Sequence, residues 1–247
     1  MGSPTAGSGT IPALGLTVTG LAAYSVALDR LIPRRWHLAT NLAAGGALLA
    51  TARVGGMSAR ELGTARSPLR AAARLGLGIS TAAATAIALV ATPRRTRRHF
   101  ADERVRAGSR REMAYETLAR IPIGTALFEE VAFRGVLSGL LLRTVAPGSA
   151  YLVSATAFGL WHVLPTLRDH AGSPTASRVS PRTAALSTVV VTMPAGLAFE
   201  ALRRRSDSLL TPILAHAALN ASAYLAAQAA HGEMDRAAAG AGGLTNR

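Results

Sequence analysis

Ile121–Leu142 reads IPIGTALFEEVAFRGVLSGLLL, an apolar run with Glu129, Glu130 and Arg134 near its middle. About 20 apolar residues in helical form cross a bilayer. An ionisable side chain at the centre of such a helix costs roughly 2.5–3.5 kcal/mol on insertion scales if it faces lipid. Three in one segment therefore point to a helix that turns its charges toward a polar cavity shared with other helices. Pro122 is expected in the first turn of this helix, where its missing N–H is no loss.

The rest of the chain supplies the neighbours. Six further runs have little or no charge: Ile11–Leu28, Leu38–Ala52, Leu75–Thr92, Ala150–Leu167, Thr183–Leu202 and Leu209–Ala230. Over the 247 residues the hydrophobic fraction is 49% and the charged fraction 16%, well below the roughly 25% charged of soluble domains. The expectation is an all-α, polytopic transmembrane helical bundle of about seven helices with a polar cavity within the membrane. Leu38–Ala52 is the shortest run and suits an interfacial position as well as a crossing. By composition and charge the chain divides into a flexible N-terminus (1–10), N-terminal transmembrane helices (11–92), a basic amphipathic or connecting segment (93–120), a core (121–230) and a flexible C-terminal tail (231–247). Met1–Thr10 has no basic side chain, so the first run reads as a retained helix, not a cleaved signal. No internal repeat is visible.

Composition also excludes chemistries. The chain has no Cys, and all 27 of its basic residues are Arg, so disulfides, thiolate catalysis and Schiff-base lysines are ruled out. The net charge of +14 suits nucleic acid or a membrane surface. The Arg residues cluster between the apolar runs and aromatics are only 4%, which excludes nucleic acid and leaves the lipid bilayer as partner. The Arg bias between alternate connectors favours an outside N-terminus and an inside C-terminus.

Spacing assigns partners inside the core. Glu130 and Arg134 stand four apart with the acid first, the better order for an ion pair on one helix face. Glu129, turned by about 100°, is left as the free carboxylate and the candidate general base. Of six His, only His162 and His216 lie in apolar runs; Phe158 precedes the first by one turn and Asn220 follows the second by one turn. One shared hydrated cavity is the least costly home for all of them. There Glu129 could take a proton from a water oriented by His162, while His216 and Asn220 face a developing oxyanion. Glu129, His162 and His216 could equally ligate a divalent metal such as zinc. No HExxH and no GxSxG occurs. Glu200, beside Arg203 and Arg204, is expected to be an interfacial tether. Trp161 and Tyr224 are expected to be packing or interface residues, and Pro194 and Pro212 to kink or start helices.

Glu129-Glu130-x-x-x-Arg134, Phe158-x-x-x-His162 and His216-x-x-x-Asn220 resemble, in order and separation, the three motifs of the CPBP family. That family holds the Ras-converting CAAX-prenyl endopeptidases and bacterial relatives linked to bacteriocin processing or self-immunity (the Abi group). The resemblance covers roughly 121–230. It implies an all-helical intramembrane endopeptidase acting on membrane-associated proteins or peptides, with a cavity open to the cytoplasmic side. Glu129 and His162 would activate water, His216 and Asn220 would form the oxyanion site, and Glu130, Arg134 and Phe158 would give structural support. The family is labelled metalloprotease, and a metal-free glutamate mechanism is argued for it as well. All-Arg, Ala-rich usage suggests a GC-rich bacterial genome, hence a multi-pass protein of the bacterial cytoplasmic membrane. The rival readings are a non-enzymatic membrane scaffold or bacteriocin self-immunity factor using the same cavity, and a proton-coupled carrier, which would show inverted repeats.

Overall fold

The computed structural model describes residues 9–66, 69–97, 109–171 and 179–242. Among them all regular structure is helical and there is no strand. We number α1 (Thr10–Arg30), α2 (His37–Val54), α3 (Leu69–Ala91), α4 (110–142), α5 (Pro147–Trp161), α6 (Val163–Ala171), α7 (Pro181–Ser206) and α8 (Leu210–Gly242). Among the described residues, four segments are long and apolar enough to cross a membrane: Thr10–Arg30, Leu69–Ala91, Pro147–Ala171 (α5 with α6) and Pro181–Ser206. Leu16, Leu77, Leu89, Leu186, Val190 and Val191 each expose more than half of their surface. Such outward apolar surface suits lipid, and the chain is a multi-pass membrane protein. The apolar run 38–52 and all but Leu209 of the run 209–230 are helical too, within α2 and α8, but fall outside that set of four.

α4 is the central post. Every residue over 128–141 is buried, and α1, α2, α5, α7 and α8 pack around it. A helix buried on all sides needs no polar face, which explains the apolar run on both sides of its charges. The helix begins earlier than expected. Ser109 caps it, its side chain accepting from the Glu112 N–H while the Glu112 carboxylate accepts from the Ser109 N–H, a reciprocal cap. Residues 109–120 of the basic segment thus belong to the cap and the first turns of α4, and 98–108 lie outside the described residues.

Pro122 is therefore inside the helix, not in its first turn. It has no N–H to donate, and its ring crowds the carbonyl four residues back. The helix answers by widening. Glu116–Ala126 and Val131–Leu137 are π-helical, with Leu127 N–H donating to the Pro122 carbonyl and Ser138 N–H to the Phe133 carbonyl, five residues back. Pro194 lies inside α7 and Pro212 in the first turn of α8. α8 runs on to Gly242, so much of the stretch expected to be a loose tail is helical. Residues 1–8 and 243–247 lie outside the described residues.

The segment between α2 and α3 is tied to two helix ends. Gly63 has φ +69°, a left-handed conformation that glycine adopts without strain. The Arg203 guanidinium lies directly over it, where a Cβ would collide, and donates to the carbonyls of Arg60 and Glu61 at 2.8 and 3.1 Å. Arg143, just past α4, donates from Nε to Glu61 Oε1 at 2.7 Å and from Nη2 to the Gly56 carbonyl at 3.0 Å. The Ser58 N–H and hydroxyl donate to Glu61 Oε2.

Arg143 and Ser58 hold the Glu61 carboxyl well below the usual range, at about 2. A depressed folded-state value contributes stability that is fully present above the unfolded value near 4.5 and lost as pH falls toward 2. Detergent-solubilised protein should therefore lose more thermal stability between pH 5 and pH 2.5 than Glu61→Gln, which has no such carboxyl to titrate; parallel melting curves across that range would contradict the clasp.

Candidate active site

The site is built where α4, the end of α5 and the first turns of α8 meet. Glu130 is fully buried and Arg134 nearly so. Arg134 Nη1 donates to Glu130 Oε1 at 3.1 Å, the ion pair expected from the spacing. That oxygen also accepts from His216 Nδ1 at 2.8 Å, which the spacing did not foretell. Arg134 Nη2 donates to the Gly196 carbonyl of α7 at 3.2 Å. A Cβ at Gly196 would sit 3.2 Å from this nitrogen and 3.1 Å from Ala155 Cα, so glycine lets α7 come this close. The guanidinium lies 4.1 Å from the Phe158 ring centroid and 5.3 Å from that of Phe199, cation–π contacts that suit a cation withdrawn from water. Phe199 also stacks on His216, centroids 4.7 Å apart.

Glu129 is held differently. Its Oε1 accepts from the Trp161 indole N–H at 3.1 Å. Its Oε2 is buried without a hydrogen-bond partner and faces His162 Nε2 at 3.8 Å and His216 Nε2 at 3.7 Å. Two other bonds orient these rings. His162 Nδ1 lies 2.7 Å from the Phe158 carbonyl, which can only accept, so Nδ1 carries the proton. His216 Nδ1 donates likewise to the Glu130 carboxylate. In the neutral rings both Nε2 atoms are then lone-pair acceptors, directed at a third acceptor. Such a spot suits a proton-bearing guest, an imidazolium or a cation.

Local sequence explains His162. Pro165 has no N–H for the Trp161 carbonyl, and the helix breaks at His162, with φ −83° and ψ −7°. The His162 N–H reaches Gly159 at 3.3 Å, leaving the Phe158 carbonyl to the imidazole. The ring packs edge-on to Phe158, centroids 4.6 Å apart, and its side chain stays 29% exposed. The site thus opens past His162.

The structure brings Glu129, His162 and His216 together, with Glu130, Arg134 and Phe158 behind them. Asn220 is half-buried one turn beyond His216 on α8 and is not seen bonded to a described residue. Among the described residues, no group of three or more His, Cys, Asp or Glu has the spacing of a metal site. His37 and His170 lie in α2 and α6, away from this site, and His231 in α8; His99 is outside the described residues.

Two residues go beyond the sequence reading. Trp161 packs as expected but also binds the candidate base. Glu200 is not an interfacial tether. It is 2% exposed and accepts from the Ser138 and Ser154 hydroxyls at 3.1 and 2.8 Å. Its neighbours Arg203 and Arg204 made it look peripheral, yet the α-helical turn places Glu200 on the inner face of α7. An acid inside an apolar run was the available signal.

Residues 113–222 match the family model described as Type II CAAX prenyl endopeptidase Rce1-like. The likeness to that family is confined to this segment. It runs from the early turns of α4 into α8 and contains every motif residue, in agreement with the CPBP resemblance. No curated protein and no solved structure matches the chain significantly.

In this Rce1-like segment the Glu130 carboxylate serves two partners. Glu130→Ala leaves the buried Arg134 charge and the His216 N–H without their acceptor. The expected cost is about 3–5 kcal/mol, read as a sharp loss of folded protein in detergent thermal unfolding. Stability equal to wild type would refute the shared role.

Proposed function

We propose that the chain is an intramembrane endopeptidase hydrolysing peptide bonds of membrane-associated proteins or peptides, with Glu129 as the general base. The observation that carries this reading is the unpartnered Glu129 Oε2 facing both imidazole Nε2 atoms. A water held there can give a proton to Oε2 while His162 Nε2 orients it, and its oxygen attacks the scissile carbonyl. The carbonyl oxygen becomes an oxyanion. His216, protonated on Nε2 with its other N–H held by Glu130, and the Asn220 amide offer donors to it. Glu129 then delivers the proton to the leaving amine. The Rce1-like match supports a protease in general terms.

Two imidazole nitrogens and a carboxylate oxygen are also the donor chemistry of a divalent ion such as zinc. Glu129, His162 and His216 would hold it, and it would supply an activated water. The composition and the apolar helices support a bacterial cytoplasmic membrane as the location, with the bilayer and a membrane-associated substrate as partners.

In a cleavage assay with purified protein in lipid, Glu129→Gln, an isostere unable to take the proton, should lose at least 100-fold in kcat. Wild-type cleavage by a folded Glu129→Gln would sink the reading and favour a non-enzymatic scaffold or immunity role for the cavity. Excess chelator is expected to leave cleavage unchanged; loss that added zinc restores would assign the ion.

A further inference from the structure

We infer that Trp161 is a positioning residue for the base: its indole N–H anchors Glu129 Oε1 and so leaves Oε2 as the atom aimed at the two imidazoles. The inference rests on the glutamate chemistry proposed above and adds a residue outside the three motifs.

A glutamate side chain has three rotatable bonds, and its carboxylate oxygens are equivalent until something distinguishes them. Here one oxygen is bonded and the other is not. The donor is itself fixed. The Trp161 ring stacks with Tyr24 at 6.4 Å and an interplanar angle of 27°, and meets Phe128 at 5.7 Å and Phe133 at 5.8 Å. Tyr24 is anchored in turn, its hydroxyl donating to Asn41 Oδ1 at 2.6 Å, while Asn41 Nδ2 donates to the Gly124 carbonyl of α4 at 2.5 Å. The chain of contacts starts on α4, crosses α2 and α1, and returns through α5 to α4, ending on the reacting carboxylate. Indole donates and cannot accept, so it can hold a carboxylate but cannot take a proton from it. The residue next in sequence is His162, so the C-terminal end of α5 presents the indole and the imidazole side by side.

The chain has two Trp, so Trp36→Phe leaves Trp161 as the sole indole reporter. Ultraviolet resonance Raman on that variant in lipid should show a hydrogen-bonded indole N–H, and adding Glu129→Ala should shift the band toward that of a free N–H. An unshifted band overturns the inference without any substrate. In the cleavage assay Trp161→Phe should lower kcat about 10- to 100-fold with KM nearly unchanged. Trp161→Gln, which restores an N–H donor, should recover part of the loss; a purely packing role predicts Trp161→Phe as the better of the two. Wild-type kcat in Trp161→Phe alongside an inactive Glu129→Gln overturns the positioning role and leaves the glutamate reading standing. An active Glu129→Gln overturns both.

Discussion

The structure depends on one constraint: the buried Arg134 charge must find its acceptors inside the protein. Glu130 supplies one and the Gly196 carbonyl another, and the rings of Phe158 and Phe199 supply the rest of its surroundings. Each acceptor comes from a different helix or a different turn. Satisfying one guanidinium therefore sets the depth and rotation of α7 against α4. Because Glu130 Oε1 also receives the His216 N–H, the same charge fixes α8. In a low-dielectric interior, removing one partner from such a network leaves a buried charge uncompensated, which is costly.

The two adjacent acids of α4 divide the labour by rotation. Glu130 turns into the network, where its Oε1 accepts from both Arg134 and His216. Glu129, one residue earlier, turns toward the helix break at His162, where one oxygen is bound and one is not. The supporting half is closed to water and the reacting half is reached past a partly exposed imidazole. Glu200 with its two serine donors adds a third acid to the interior of the bundle, and all three are held within one small region by α4, α5 and α7.

Much of this is legible in the residues. Apolar runs reveal the helices because burial and lipid select the same side chains. Glu130 and Arg134 reveal their pairing because helix geometry fixes what lies four residues on. His162 and His216 stand out because few polar groups occupy apolar runs. What stays hidden depends on distant neighbours or on helix starts. The Ser109 cap starts α4 well before Ile121, so Pro122 falls in the interior and forces π geometry. The Trp161 bond needs the ring wall that α1 and α4 build around the indole. Glu200 looks peripheral beside Arg203 and Arg204, since sequence adjacency outweighs helix rotation to the eye.

The all-round burial of α4 bears on how such a chain is made. With Glu129, Glu130 and Arg134 each disfavoured in hydrocarbon by roughly 2.5–3.5 kcal/mol, this segment is a poor candidate to partition alone from the ribosome-bound translocon. The helices that shelter its charges, α5, α7 and α8, are synthesised after it. Biogenesis must therefore delay release of α4, or shield it with an insertase, until the C-terminal third of the polypeptide has emerged.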